Sequence, residues 1–203
     1  MCATPVRQRA RPTFTELARR AQIIAAAIET IAEVGYTRAS FARIAKRAGL
    51  SSTGLISYHF ASKKDLDWEI VKEIYGRITR HMGEAMADVP DPQAALVAYI
   101  DGLIGFMKID PSALQAMVAI VMHGGFEYDA NSEREAVSGI AEILQWGQAV
   151  GVFRPFDVQV MATTIQRSLD GIPLAQSTNP DLDLDTYARE LVDLFTLATQ
   201  KRD

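Results

Sequence analysis

Apolar residues recur at intervals of three and four along most of the chain. Between Phe14 and Val34, the residues Leu17, Ala21, Ile24, Ile28 and Ile31 form a stripe of helical period. Gly35 then offers the left-handed stop that glycine tolerates best. Ser40 stands where an N-cap belongs, ahead of "FARIAKRA", which puts Phe41, Ile44, Ala45 and Ala48 on one face before Gly49 ends it. Ser51 or Ser52 can cap a third short helix, "TGLISYHF", whose Leu55 and Ile56 pack back onto the first two. Two short helices joined by a glycine-containing turn and braced by a longer one make the pattern of a helix-turn-helix. Its second helix is the one that enters a DNA major groove.

The rest of the chain also reads as helices, with no alternating run long enough to predict a strand. Residues 65–87 carry two stripes, Leu66, Ile70, Ile74, Ile78 and Trp68, Val71, Tyr75, Met82, so this connecting helix has neighbours on two sides. "DVPDP" breaks it at 88–92, and "QAALVAYIDGLIGFMKI" follows. Pro111 after Asp110 opens "PSALQAMVAIVMH" at the helix position proline suits, and that segment is apolar nearly all round, hence central. Asn131 or Ser132 can cap "EREAVSGIAEILQWGQAV", Asp157 caps a helix reaching about residue 176, and a last helix covers residues 184–200. The prediction is an all-α chain of about nine helices. A basic arm over residues 1–13 precedes a three-helix helix-turn-helix domain over residues 14–64 and a helical body over residues 65–203.

Charge sharpens that division. Of 21 Lys+Arg and 25 Asp+Glu, residues 1–64 hold 11 and 3, whereas residues 65–203 hold 10 and 22. The net charge of −4 therefore hides a basic head on an acidic body, as expected of a nucleic-acid-binding segment attached to something else. With 48% hydrophobic residues, the chain can bury a core. The single cysteine, Cys2, excludes a disulfide scaffold and multi-cysteine metal sites and suits a reducing compartment, the cytoplasm. No signal-peptide pattern and no run of about 18 apolar residues is present, so no membrane is expected. The three histidines, His59, His81 and His123, are scattered, and no nucleotide-binding glycine pattern occurs. Neither an enzyme, a metal site nor a cofactor is expected.

The stretch "RIAKRAGLSSTGLISYHFASKKDL", residues 43–66, gathers what a recognition helix requires. Ser51, Ser52 and Thr53 lie at its N-terminal end, Gly54 removes bulk, and Ser57, Tyr58 and His59 follow. Lys63 heads the next turn, and Thr37, Arg38 and Ser40 precede the helix before it. Each residue alone fits a capping, packing or solvated role as well as a DNA contact; their order together favours DNA.

Residues 19–66, with "AQIIAAAIETIAEVGY", "FARIAKRAG", then "SYHF", "SK" and "L", resemble the DNA-binding domain of TetR-type transcriptional regulators. The resemblance implies a homodimer that binds a double-stranded DNA operator through its head, while the body binds a small-molecule effector and pairs the subunits. Most such proteins are repressors released from a pseudo-palindromic operator by that effector. Ser40 fits the phosphate-contacting cap, Tyr58 and His59 the aromatic-histidine pair, and Lys63 the backbone-contacting lysine. Between Gly49 and Tyr58 the chain is one residue longer than the commoner family spacing, which leaves the base-contacting register among Ser52, Thr53, Gly54 and Ser57 open. An architectural DNA-coating protein is the rival class, distinguished by sequence-independent binding.

In the body, Tyr99, Phe106, Met107, Met117, Met122, His123, Phe126 and Trp146 can line an apolar cavity, and core packing explains them equally. Asp101, Gln166, Arg167 and Asp170 interrupt apolar helices and can orient a polar ligand group or form surface pairs. The two last predicted helices resemble the family's dimerisation pair, with Val160, Ile165, Leu169, Leu191, Leu194 and Phe195 as contacts.

Overall fold

The computed structural model describes residues 13–127 and 129–201; Cys2 and all of the expected basic arm except Thr13 lie outside them. Helix α1, Phe14–Val34, begins in a reciprocal capping box between Thr13 and Glu16 and ends at Gly35, whose φ of 80° only glycine adopts without strain. Its buried face holds Ile23, Ile24, Ala27, Ile28 and Ile31. Leu17 and Ala21, part of the predicted stripe, are exposed because the first turns of α1 project beyond the core. A 3-10 turn, Tyr36–Arg38, leads into α2, Phe41–Arg47, where the Ser40 hydroxyl oxygen accepts from the Arg43 N–H.

Helix α3, Gly54–His59, departs from the expected capping. Thr53 precedes it in helical conformation and caps with no side-chain bond, so neither Ser51 nor Ser52 performs that role. Ile56, fully buried, anchors α3; Leu55 is only half-buried. Helix α4, Lys63–Ala85, is capped by Ser62 and runs from the head into the body, touching α1.

Helices α5, Pro92–Ile109, and α6, Pro111–Met122, are capped by Asp91 and Asp110 and meet at a bend of 97°. Arg77 pins that corner, donating to Asp110 Oδ2 at 2.9 Å and to Glu73 Oε1 at 3.0 Å. Helix α7, Ala130–Ala149, is capped by Asp129, which accepts from the backbone of Asn131 and Ser132. The two residues expected as caps are therefore its donors. The single helix expected over residues 157–176 is two, α8, Val158–Asp170, and α9, Ile172–Thr178. Pro173 lacks an N–H and its ring would strike the carbonyl of Leu169 in a continuous helix, so the chain resets at Gly171. Helix α10, Leu184–Thr199, is capped by Asp183.

The body packs α5 against α4, α7 and α10, and α7 against α8, while α1 of the head lies on α6. The loop after α7 is fixed by Phe153, whose ring lies where a β-carbon on Gly147 would be 1.9 Å away, and by Arg154, whose N–H donates to Thr199 O at 2.9 Å. Among the described residues there is no strand beyond an isolated bridge, Phe153 with Gln200, and no single helix is long and apolar enough to cross a membrane.

Candidate nucleic-acid interface and body cavity

Two side chains of α1 brace the helix-turn-helix from behind. Arg20 Nη1 donates to the His59 carbonyl at 2.5 Å, its guanidinium lies 4.4 Å from the Phe60 ring centre, and Glu69 is 3.2 Å away. Gln22 Nε2 donates to Ala48 O at 2.6 Å. Both bonds satisfy carbonyls left over at the ends of α3 and α2, so the two short helices are held at fixed angles. Neither residue stands out in the sequence, because a polar position on an exposed helical turn does not disclose a partner 39 or 26 residues away.

With Ile56 inward, α3 turns Gly54, Ser57 and Tyr58 outward at helical spacing, continued by exposed Ser51, Ser52 and Thr53. Gly54 is not required by crowding, since a β-carbon there would sit 3.4 Å from Ser52 Oγ. Tyr58 is 73% exposed, and its hydroxyl donates to Glu16 Oε1 at 3.3 Å. The Tyr58 and His59 rings meet edge to face at 5.0 Å. Burial, then the charge of Arg20, lowers the His59 pKa, which favours a neutral imidazole with one N–H to donate.

The other named DNA residues converge on the 3-10 turn. Lys63 Nζ donates to Tyr36 O at 3.1 Å and lies 3.8 Å from the Tyr36 ring centre, which brings it beside Thr37, Arg38 and Ser40. An ammonium has three donors, so this bond leaves capacity for a phosphate. Arg38 Nε donates to Val34 O at 2.6 Å, and Arg47 pairs with Glu33. Tyr36, unnamed by sequence reasoning, is thus central: its hydroxyl donates to buried Asp67 at 2.7 Å. Burial raises the Asp67 carboxyl pKa, opposed by the Tyr36 bond and by Lys63, and pushes up the Tyr36 phenol as well.

The body holds a cavity of about 910 Å³ between α4, α5, α6, α7 and α8, open to solvent on the side of Glu135, Glu142 and Trp146. Tyr99, Phe106, Met107, Met117, Met122, Phe126, Trp146, Gln166 and Asp170 all line it, and so does Arg167. Asp101 does not line it, and neither does His123, whose ring stacks on Tyr36 at 5.2 Å while its Nδ1 lies 2.7 Å from Ala119 O. His123 belongs to the junction between head and body. Inside the cavity, Tyr99 Oη donates to Gln166 Oε1 and Gln166 Nε2 donates to Asp170 Oδ1, each at 2.8 Å. Burial raises the Asp170 pKa and pushes that of Tyr99 up to about 12.

The expected dimer contacts divide by burial. Ile165, Leu169, Leu191 and Phe195 face the protomer's own core and are 9% exposed or less, so they cannot meet a partner. Val160 and Leu194 point outward, joined by Leu197, each more than half exposed.

Fold and site together define a helix-turn-helix protein with an all-helical, cavity-bearing body. Residues 23–66 match the model for bacterial regulatory proteins of the tetR family. The HTH-type transcriptional regulator BetI of Yersinia pestis is 36% identical over 107 residues, 50% of this chain and 52% of that protein. The chain thus spans about half the length of the curated relatives it matches. A structure from Saccharomonospora viridis in complex with choline superposes with a TM-score of 0.81 at 22% identity, covering 92% of this chain and 100% of that one. A TetR transcription regulator from Haloarcula marismortui gives 0.78 at 18%, covering 91% and 100%. The match to the tetR family model is thus confined to the helix-turn-helix segment, and the likeness to these structures over the whole length is one of fold.

Proposed function

We propose that the protein is a cytoplasmic, homodimeric transcriptional repressor. Residues 14–64 hold a pseudo-palindromic operator, and residues 65–203 release it when a small molecule enters the cavity. The observation that carries this reading is the outward row of Ser51, Ser52, Thr53, Gly54, Ser57 and Tyr58 on a helix locked from behind by Ile56 and Arg20. Such a row presents short donors and acceptors to base edges, while Ser40 and Lys63 flank it for phosphates.

Dimerisation through the outward faces of α8 and α10, with Val160, Leu194 and Leu197, would set two copies of α3 about 34–36 Å apart, one DNA turn. The cavity is of ligand size, and the choline carried by the Saccharomonospora viridis structure supports a small-molecule role for a body of this fold. Release needs a ligand that favours the non-binding state; about 1–3 kcal/mol of coupling is typical.

Fluorescence anisotropy of a labelled duplex, titrated at several salt concentrations, tests the interface. Lys63→Ala should weaken binding to every sequence and lower the salt slope by roughly one phosphate's worth. Unchanged affinity and slope would remove Lys63 from the interface.

A further inference from the structure

We propose that the cavity selects an organic cation with an apolar body. This rests on the reading of the cavity as an effector site and names the chemistry of its occupant. The volume and the aromatic and methionine walls make the site; its charges decide what enters. Glu135, Glu142 and Asp170 line it, against the single guanidinium of Arg167. Arg167 is already held by Asp170 at 2.5 Å and by Glu133, so it offers little charge to an anionic ligand. Lys72 borders only a smaller adjoining hollow of about 380 Å³.

The carboxylates are placed around an aromatic ring. On α7, Glu135, Gly139, Glu142 and Trp146 share one face at helical spacing. A β-carbon on Gly139 would sit 3.5 Å from Tyr99 Cε2, so the Tyr99 ring lies over the glycine between the two glutamates. The Tyr99 hydroxyl then leads through Gln166 to Asp170 on the other wall. A cation over this ring meets the electron-rich aromatic face and the carboxylates of Glu135 and Glu142 on α7, whereas an anion meets the same two carboxylates as repulsion; Asp170, paired with Arg167, adds little net charge. The three acidic groups interrupt a wall that is otherwise mostly apolar, which suits a cation whose charge is carried on a hydrophobic body.

The test uses three probes of similar shape on the full-length protein: tetraphenylphosphonium, tetraphenylborate and neutral triphenylphosphine oxide. Binding is read by calorimetry, with release of labelled duplex followed in parallel. Tetraphenylphosphonium should bind at least tenfold more tightly than either other probe. Glu135→Gln with Glu142→Gln should weaken it roughly three- to tenfold per charge removed, while Glu29→Gln, exposed on α1 and away from the cavity, leaves it unchanged. Preference for the borate or the neutral probe, or no binding of the phosphonium at millimolar concentration, would overturn the cation assignment. Phosphonium binding without loss of DNA would retain that assignment and instead remove the release mechanism.

Discussion

At the scale of single residues, Tyr36 and Asp67 carry a contact on which the head and the body both close. Tyr36→Phe removes the one donor shown to serve a buried carboxylate, and should cost about 1–3 kcal/mol, read as a lower thermal midpoint. Asp67→Asn keeps an acceptor and removes the buried charge. Because burial raises the Asp67 pKa, the folded state holds its proton more tightly than the unfolded chain, and this group's contribution to stability falls as pH rises past the ordinary value of 3.8. The variant should therefore gain on the parent as pH rises through that window, and melting curves from pH 3 to 7 check the sign. Neither residue stands out in the sequence, since a tyrosine after a glycine and an aspartate in an exposed-looking helical turn become partners only when α4 crosses the 3-10 turn. His123 was misread for the same reason: an aromatic-rich neighbourhood suggests a cavity, but its ring is taken by Tyr36.

At the scale of elements, helix starts were legible where one side chain had an unambiguous role. Ser40 and Asp157 each precede a clear apolar period and cap as expected, and Pro111 opens its helix at the expected position. Where several capping residues stand in a row, spacing cannot choose: the cap fell to Asp129 rather than Ser132, and to no side chain at Thr53. The break at Gly171 was hidden because Leu169 and Ile172 continue the helical period across it. The recognition helix provides a test that separates folding from function. Gly54→Ala adds a methyl that the backbone and Ser52 accommodate and improves helix propensity, so the thermal midpoint should hold or rise. The same methyl stands on the outward face, and DNA affinity by anisotropy should fall several-fold. Unchanged affinity would turn that face away from DNA.

At the scale of the whole molecule, the head and cavity are linked by the packing of α1 on α6, by the continuous helix α4, and by a cluster of side chains at the 3-10 turn. Phe126 lines the cavity and stacks on Trp68 at 5.2 Å, while adjacent Gly125 abuts the Tyr36–Asp67 pair; a β-carbon there would lie 2.9 Å from both Oδ2 of Asp67 and the tyrosine oxygen. Gly125→Ala should therefore push the pair apart, disturb Lys63 and weaken DNA binding with the cavity empty, as anisotropy would report. Leu194→Glu with Leu197→Glu should yield monomers in sedimentation experiments and a large loss of operator affinity, because neither side chain supports the protomer's core. The broad plan, a basic reading head on an acidic body, was visible in charge and period. Which apolar residues face outward was not, since the buried and exposed faces of α8 and α10 share the same periodicity.

The most direct measurement is selection of bound sites from a random double-stranded DNA pool by the purified protein at a stated salt concentration. Recovery of a pseudo-palindrome, with half-sites about one helical turn apart, is the expected result. Enrichment without a common sequence, or none at all, would contradict a dimeric, sequence-specific regulator.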